Sequence, residues 1–353
     1  MKYDILKSGF GRKVSRRIVV NLLNLKEGLE KAVPPKTNNG NLLLATWNLH
    51  EFDSNRAGHG HRLPESFLYI GEILSAFDLI VLQEVDEDLS PLERLLFTMG
   101  SNWDYIATEA GRGIRHGERM AFVYDCNRVV FERMTGAMTL PDNILGNDGI
   151  RFVQPPFTAT FRTGEIRFNI CPVHLDRTTD GIDDLSKIPG KVNVMVRFIR
   201  ERMERNNENG VLVGDFTEQN PYFQTIKALM DNGFTVPEQI RQRLSGSNKF
   251  TVAHHDQMAI AERKRELEYA GNDNSAGVFD YYEYVFREGD YYPYTIYLDP
   301  GKVGKNKNGE TTEKEIEAYF SDVWRTWQMS DHLPLWVEMK VDFSMEFLID
   351  LIR

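Results

Sequence analysis

Four short apolar runs constrain this chain more than any other feature of its sequence, because each one stops on a polar group. Leu42-Leu43-Leu44-Ala45-Thr46 runs into Trp47-Asn48, and Leu79-Ile80-Val81-Leu82 runs into Gln83-Glu84. Ile170-Cys171-Pro172-Val173 ends at His174, and Val211-Leu212-Val213-Gly214 ends at Asp215. Such runs have the length of strands, and their lack of polar alternation reads as burial on both faces. Between the first two, Pro64 opens a helical stripe of Phe67, Ile70, Ile73, Leu74 and Phe77, so the local order is strand, helix, strand. A further helix over 13–32 follows from Val14, Ile18, Leu22, Leu25 and Leu29, and Pro34-Pro35 ends it.

More strands are expected at 105–108, 120–124, 129–134, 157–161, 166–173, 278–286 and from Val337, with helices over 183–206 and 221–231. Several strands between 105 and 173 have no helix between them, which argues against a simple doubly wound sheet. The fold class expected is α/β, with two packed mixed β-sheets flanked by helices in a four-layer sandwich. The expected organisation is an N-terminal helical extension over 1–40, one domain over 41–342 and a short C-terminal helix over 343–353. Apart from the strand at 278, residues 236–320 read as irregular insertions.

Composition narrows the class. At 41% hydrophobic and 27% charged residues the chain has ordinary globular usage and is not a disordered or collagen-like sequence. No apolar run approaches the ~20 residues of a membrane span, and no signal sequence is recognisable, so a cytoplasmic address is expected. Cys126 and Cys171 are too few for a disulfide framework and read as buried, reduced thiols. The formal charge of -10 disfavours non-specific coating of nucleic acid, but a divalent ion in an acidic site can dominate the local field.

A lone acid at a strand end is ordinarily a solvated or loop-capping charge. Here acids, an amide and histidines end separate strands, and Ser330-Asp331-His332 precedes the strand-like Leu333-Pro334-Leu335-Trp336. Two packed sheets could gather them on one rim, where Glu84, Asn48 and Asp331 offer the oxygen donors that Mg²⁺ or Mn²⁺ takes.

The motifs Thr46-Trp47-Asn48, Leu82-Gln83-Glu84-Val85, Val173-His174-Leu175, Gly214-Asp215-Phe216, Phe279-Asp280-Tyr281 and Ser330-Asp331-His332-Leu333-Pro334 occur in one order over about 41–342. In this the chain resembles the endonuclease/exonuclease/phosphatase superfamily, whose members include pancreatic deoxyribonuclease, and the resemblance implies a deoxyribonuclease-like fold. It implies Glu84 as principal metal ligand, with Asn48 and Asp331 near the ion or the scissile phosphate. Asp215 would orient or deprotonate the attacking water, His332 would contact phosphate while paired with Asp280, and His174 would be a phosphate ligand or leaving-group acid. Should His332 and Asp280 lie apart, Asp256 is the next partner. Arg119 matches an Arg of the deoxyribonuclease-like members and suits bidentate phosphate binding.

The implied activity is metal-dependent hydrolysis of phosphodiester bonds by in-line water attack, in a nuclease acting on DNA or RNA. The alternatives are a phosphatase or phosphodiesterase on lipid or inositol phosphates, and a non-catalytic binding module. Thr217 keeps the last one open: it stands where the family has an Asn, and a hydroxyl lacks the amide's reach, unless Gln219 or Asn220 substitutes. His50 has no assigned role. The tyrosines from Tyr281 to Tyr297 read more readily as packing than as a base-stacking surface, and the Arg/Lys clusters at 241–243 and 263–265 as solvated faces.

Overall fold

The computed structural model describes residues 1–37, 40–110, 117–138, 156–174, 188–216, 224–242, 247–249 and 255–352. Among these described residues twelve strands form two sheets. The strands are β1 (Asn41–Phe52), β2 (Leu79–Val85), β3 (Trp103–Ala107), β4 (Arg119–Asp125), β5 (Val130–Ala137) and β6 (Phe157–Thr163). They continue with β7 (Ile166–His174), β8 (Gly210–Asp215), β9 (Asp256–Ala261), β10 (Glu268–Tyr269), β11 (Ala276–Val278) and β12 (Leu335–Lys340). The seven-stranded sheet runs β10-β12-β1-β2-β4-β3, with β11 also on β12, and the five-stranded sheet runs β5-β6-β7-β8-β9. The expected two-sheet α/β sandwich is therefore what the chain forms.

Continuous apolar runs are required because β1, β2 and β4 are covered on both sides. Leu42, Leu44, Leu79, Val81, Phe122 and Tyr124 pack into the core shared with Phe161, Ile170, Val211 and Val213 of the second sheet. The alternate residues Leu43, Ala45, Trp47, Ile80, Leu82 and Val123 pack outward, against Ile18, Leu22 and Leu25 of helix Arg12–Ala32 and Phe67, Ile70 and Ile73 of helix Pro64–Ser75. At ~25 cal/mol per Å² of buried apolar surface, these two cores are the main drive for folding. No helix among the described residues is long and apolar enough to cross a membrane.

Three sequence expectations are corrected. The strand over 278–286 is instead the three-residue β11 followed by a 3₁₀ turn at Tyr281–Glu283, capped by Asp280. Its tyrosines made it look extended, but Tyr281 and Tyr282 are buried with hydroxyls on backbone carbonyls. The segment 236–320 is not all insertion: β9 completes the second sheet, antiparallel to β8. Finally, Cys171 is buried but Cys126 is exposed.

Candidate active site

Strand direction gathers the polar residues. β1 is parallel to β2, and β7 to β8, so Asn48, Glu84, His174 and Asp215 share one rim at the carboxyl ends. β12 and β9 run antiparallel to β1 and β8, so their amino-terminal ends reach the same rim with His332 and Asp256. In register, His174 lies opposite Asp215, and Asp215 opposite Asp256.

Local irregularities aim the side chains. Between Leu82 and Val85 the pairing of β2 with β4 shifts register, and Glu84 has φ 54°. A bulge of this kind turns a side chain out of alternation, and a non-glycine residue in the left-handed region marks a conformation that its surroundings impose. Glu84 is held there by Asn48 Nδ2 at 2.9 Å and by the Glu51 backbone N at 3.0 Å. His50 and Glu51 are left-handed too, at φ 49° and 48°. Gly214 has φ 136°, and a Cβ there would run into the Val173 carbonyl of β7. Gly214→Ala should therefore cost about 3 kcal/mol or more and displace Asp215; an unchanged midpoint of thermal unfolding would refute this.

Asn48 bridges two buried carboxylates, since its Nδ2 lies 2.9 Å from Glu84 Oε1 and 3.4 Å from Asp215 Oδ2. Its Oδ1 accepts from His50 N at 2.8 Å, which leaves the second lone pair of that amide oxygen for a further partner. His174 Nε2 lies 3.8 Å from Glu84 Oε1, and His332 Nε2 lies 3.9 Å from Asp215 Oδ2. Asp331 is half-buried, accepts from Asn248 Nδ2 at 3.1 Å, and lies 3.5 Å from His50 Nδ1.

The partner of His332 is Asp256, at 2.8 Å from Nδ1, and not Asp280. Asp280 instead receives Lys249 Nζ at 2.6 Å and caps the turn at Tyr282 N. The reason is register: β9 sets Asp256 beside Asp215, whereas Asp280 lies past the end of β11. Burial pushes the His332 imidazole down, but Asp256, Asp331 and Asp215 together outweigh it and hold the imidazole well above its ordinary value. Burial likewise raises Asp331, and His332, His50 and Asn248 more than reverse it, leaving it below the usual carboxylate range.

Arg119 lies opposite Val85, next to Glu84 in sequence, but its Nη1 donates to the Thr108 carbonyl at 2.8 Å. Thr217, Gln219 and Asn220 lie outside the described residues. The backbone of the final motif is pinned from several sides. Trp47 Nε1 and Tyr281 OH donate to His332 O, and Ser330 Oγ donates to Asn48 O. Arg62, a buried residue with no motif to announce it, joins the carbonyls of Leu49, His50 and Met329. The signal for Asp256 was an acid heading Gln257-Met258-Ala259-Ile260-Ala261, the pattern of Asp331-His332 before Leu333, but two alanines weaken the strand signature.

No family model and no curated protein matches the sequence. Solved structures match by fold. An endonuclease/exonuclease/phosphatase family protein from Bacteroides thetaiotaomicron has a TM-score of 0.53 at 18% identity, over 87% of this chain and 100% of that one. A mannosyl-6-phosphatase from the same organism has a TM-score of 0.52 at 16% identity, over 84% and 99%. The human Nocturnin catalytic domain with bound sulfate has a TM-score of 0.50 at 14% identity, over 86% and 95%. The chain thus has the fold of endonuclease/exonuclease/phosphatase family proteins, as its motifs implied.

Proposed function

We propose that the chain is a divalent-metal-dependent phosphoester hydrolase acting on phosphodiesters, with nucleic acid as its substrate class. The observation that carries this reading is the buried cluster in which Asn48 bridges Glu84 and Asp215 while Asp256 holds His332 beside Asp215.

The donor set fits a hard cation. Carboxylate oxygen dominates the cluster, and Mg²⁺ characteristically takes one or two carboxylates and otherwise water and substrate oxygens. Asp215, Asp256 and His332 lie close enough together to look like a ligand set, with candidate donor atoms within 4.8 Å of one another. His332 Nδ1 is hydrogen-bonded to Asp256 at 2.8 Å while its Nε2 faces Asp215 at 3.9 Å, so we read that trio as a hydrogen-bonded relay. Glu84 would hold the ion, and Asn48 would tie it to Asp215. Bound there, Mg²⁺ or Mn²⁺ would neutralise charge on the phosphate and lower the pKa of water.

The chain's own groups then have separable work. Asp215, facing both Asn48 and His332, is placed to orient the attacking water and accept its proton. His332 presents a protonated N–H to a phosphate oxygen as charge builds in the pentacoordinate transition state. His174, at the end of β7 against Glu84, is placed for the opposite phosphate oxygen or the leaving group. Arg119, anchored through Nη1 to the Thr108 carbonyl, keeps its other N–H donors for a phosphate oxygen. A fold relative that is a mannosyl-6-phosphatase makes phosphomonoesters the second reading.

Bis(4-nitrophenyl) phosphate and 4-nitrophenyl phosphate, each with Mg²⁺, Mn²⁺ or chelator, test this directly. The expected result is diesterase activity that chelation lowers by ~10²-fold or more. Faster cleavage of the monoester would favour the phosphatase reading. Binding of oligonucleotide without turnover of any phosphoester would make the chain a binding module. Single-stranded, duplex and abasic DNA, RNA, inositol phosphates and phospholipid then resolve the substrate.

A further inference from the structure

Ser247, Asn248 and Lys249 belong to none of the six motifs, yet they lie along the last one. Lys249 N donates to Asp331 O at 2.8 Å, Leu333 N donates to Ser247 O at 2.7 Å, and Asn248 pairs with His332 in an antiparallel bridge. Each of the three side chains also reaches a different acid. Ser247 Oγ donates to Asp256 Oδ2, the same oxygen that faces His332, and receives Asp256 N at 3.1 Å. Asn248 Nδ2 donates to Asp331 Oδ2 at 3.1 Å, and Lys249 Nζ donates to Asp280 Oδ2 at 2.6 Å.

Asp280 links this segment to the tyrosine turn. Its other oxygen caps Tyr282 N at 3.0 Å, and the hydroxyls of Tyr281 and Tyr282 donate to Ser330 O. The turn and the tripeptide therefore grip the Ser330–Leu333 loop from two sides, and the Lys249–Asp280 pair closes the grip.

We propose that Ser247-Asn248-Lys249 is a positioning segment for hydrolysis, moored by the Lys249–Asp280 pair, that fixes Asp256 and Asp331 in the orientations the reaction uses. This rests on the phosphoester-hydrolase reading. Asp280 then acts through Lys249 and not on the imidazole. Lys249 and Asp280 keep 22% and 33% of their side chains exposed, and a pair this open adds little to global stability. Its loss should show in turnover and not in the melt.

The test compares Lys249→Met, Asp280→Asn, the double variant and Lys249→Arg on bis(4-nitrophenyl) phosphate with Mg²⁺. Residues that support reacting groups from behind typically matter by ~10–100-fold, so kcat should fall by that factor in both single variants. KM should stay within about threefold, since substrate binding is not what the segment serves. The double variant should be no slower than the slower single, because one interaction is broken either way. Lys249→Arg should keep most activity, and all melting midpoints should stay within a few degrees of the parent. Unchanged kcat in Asp280→Asn, or losses that multiply in the double variant, would overturn the proposal. If Lys249→Met fails to melt cooperatively, the near-isosteric Asp280→Asn decides alone. A parent that cleaves no phosphoester with any divalent ion would overturn the hydrolase reading, and this proposal with it.

Discussion

Glu84→Gln should abolish nearly all phosphodiester hydrolysis, by ~10³-fold or more in kcat/KM, while the chain stays folded. The substitution keeps the volume of a residue that is only 7% exposed, so it opens no cavity. It removes the charge that would hold a cation, and it can place an amide N–H against Asn48 Nδ2, where a carboxylate oxygen now accepts at 2.9 Å. Turnover of bis(4-nitrophenyl) phosphate, Mn²⁺ titration calorimetry and a circular-dichroism melt on the same sample separate the effects. Loss of both turnover and Mn²⁺ binding with a preserved melt is the expected outcome. Activity within about tenfold of the parent would exclude Glu84 as the ion's anchor.

Asp256→Asn should be nearly as severe. A carboxylate behind a working imidazole orients the ring and stabilises its charged form, and replacing it by an amide costs ~10²–10⁴-fold in known triads. The pH behaviour makes the result specific. Against its burial, His332 is raised above 6.5 by Asp256, Asp331 and Asp215, so the native state keeps that proton in a range where the unfolded chain has lost it. Its contribution to stability is full below 6.5 and is lost as pH rises through the native value. Removing the Asp256 charge lowers the native value, which should move the alkaline limb of kcat/KM to lower pH and shrink that stability contribution. An alkaline limb that does not move in Asp256→Asn would mean that Asp256 does not control His332.

Much of this architecture was legible because burial leaves a local trace. β1, β2, β7 and β8 were readable as apolar runs since both faces of each are covered, and the helix over 13–32 was readable since its stripe meets only one face. β9 escaped because Met258-Ala259-Ile260-Ala261 is short and rich in alanine, and its place in the sheet comes from pairing with β8. The turn at 281–283 leaves no such trace, because buried tyrosines look alike in sequence whether they pack from a strand or donate from a 3₁₀ turn.

The chain by itself determined which chemical groups end which strands, and in what order. Apolar patterning decides where a strand stops, and the next residue is then placed at a sheet rim whatever the distant partners are. Only the tertiary structure decided which of those groups face one another. His332 and Asp256 lie 76 residues apart, and their pairing depends on β9 lying in register on β8 and on the Ser247–Lys249 segment lying along the final loop. Asp280 lies between Phe279 and Tyr281 and Asp256 between His255 and Gln257, and neither pair of neighbours specifies which of the two meets His332. Register between distant segments does, because a side chain's partner across a sheet is set by the alignment of two strands, and neither strand's own pattern specifies it.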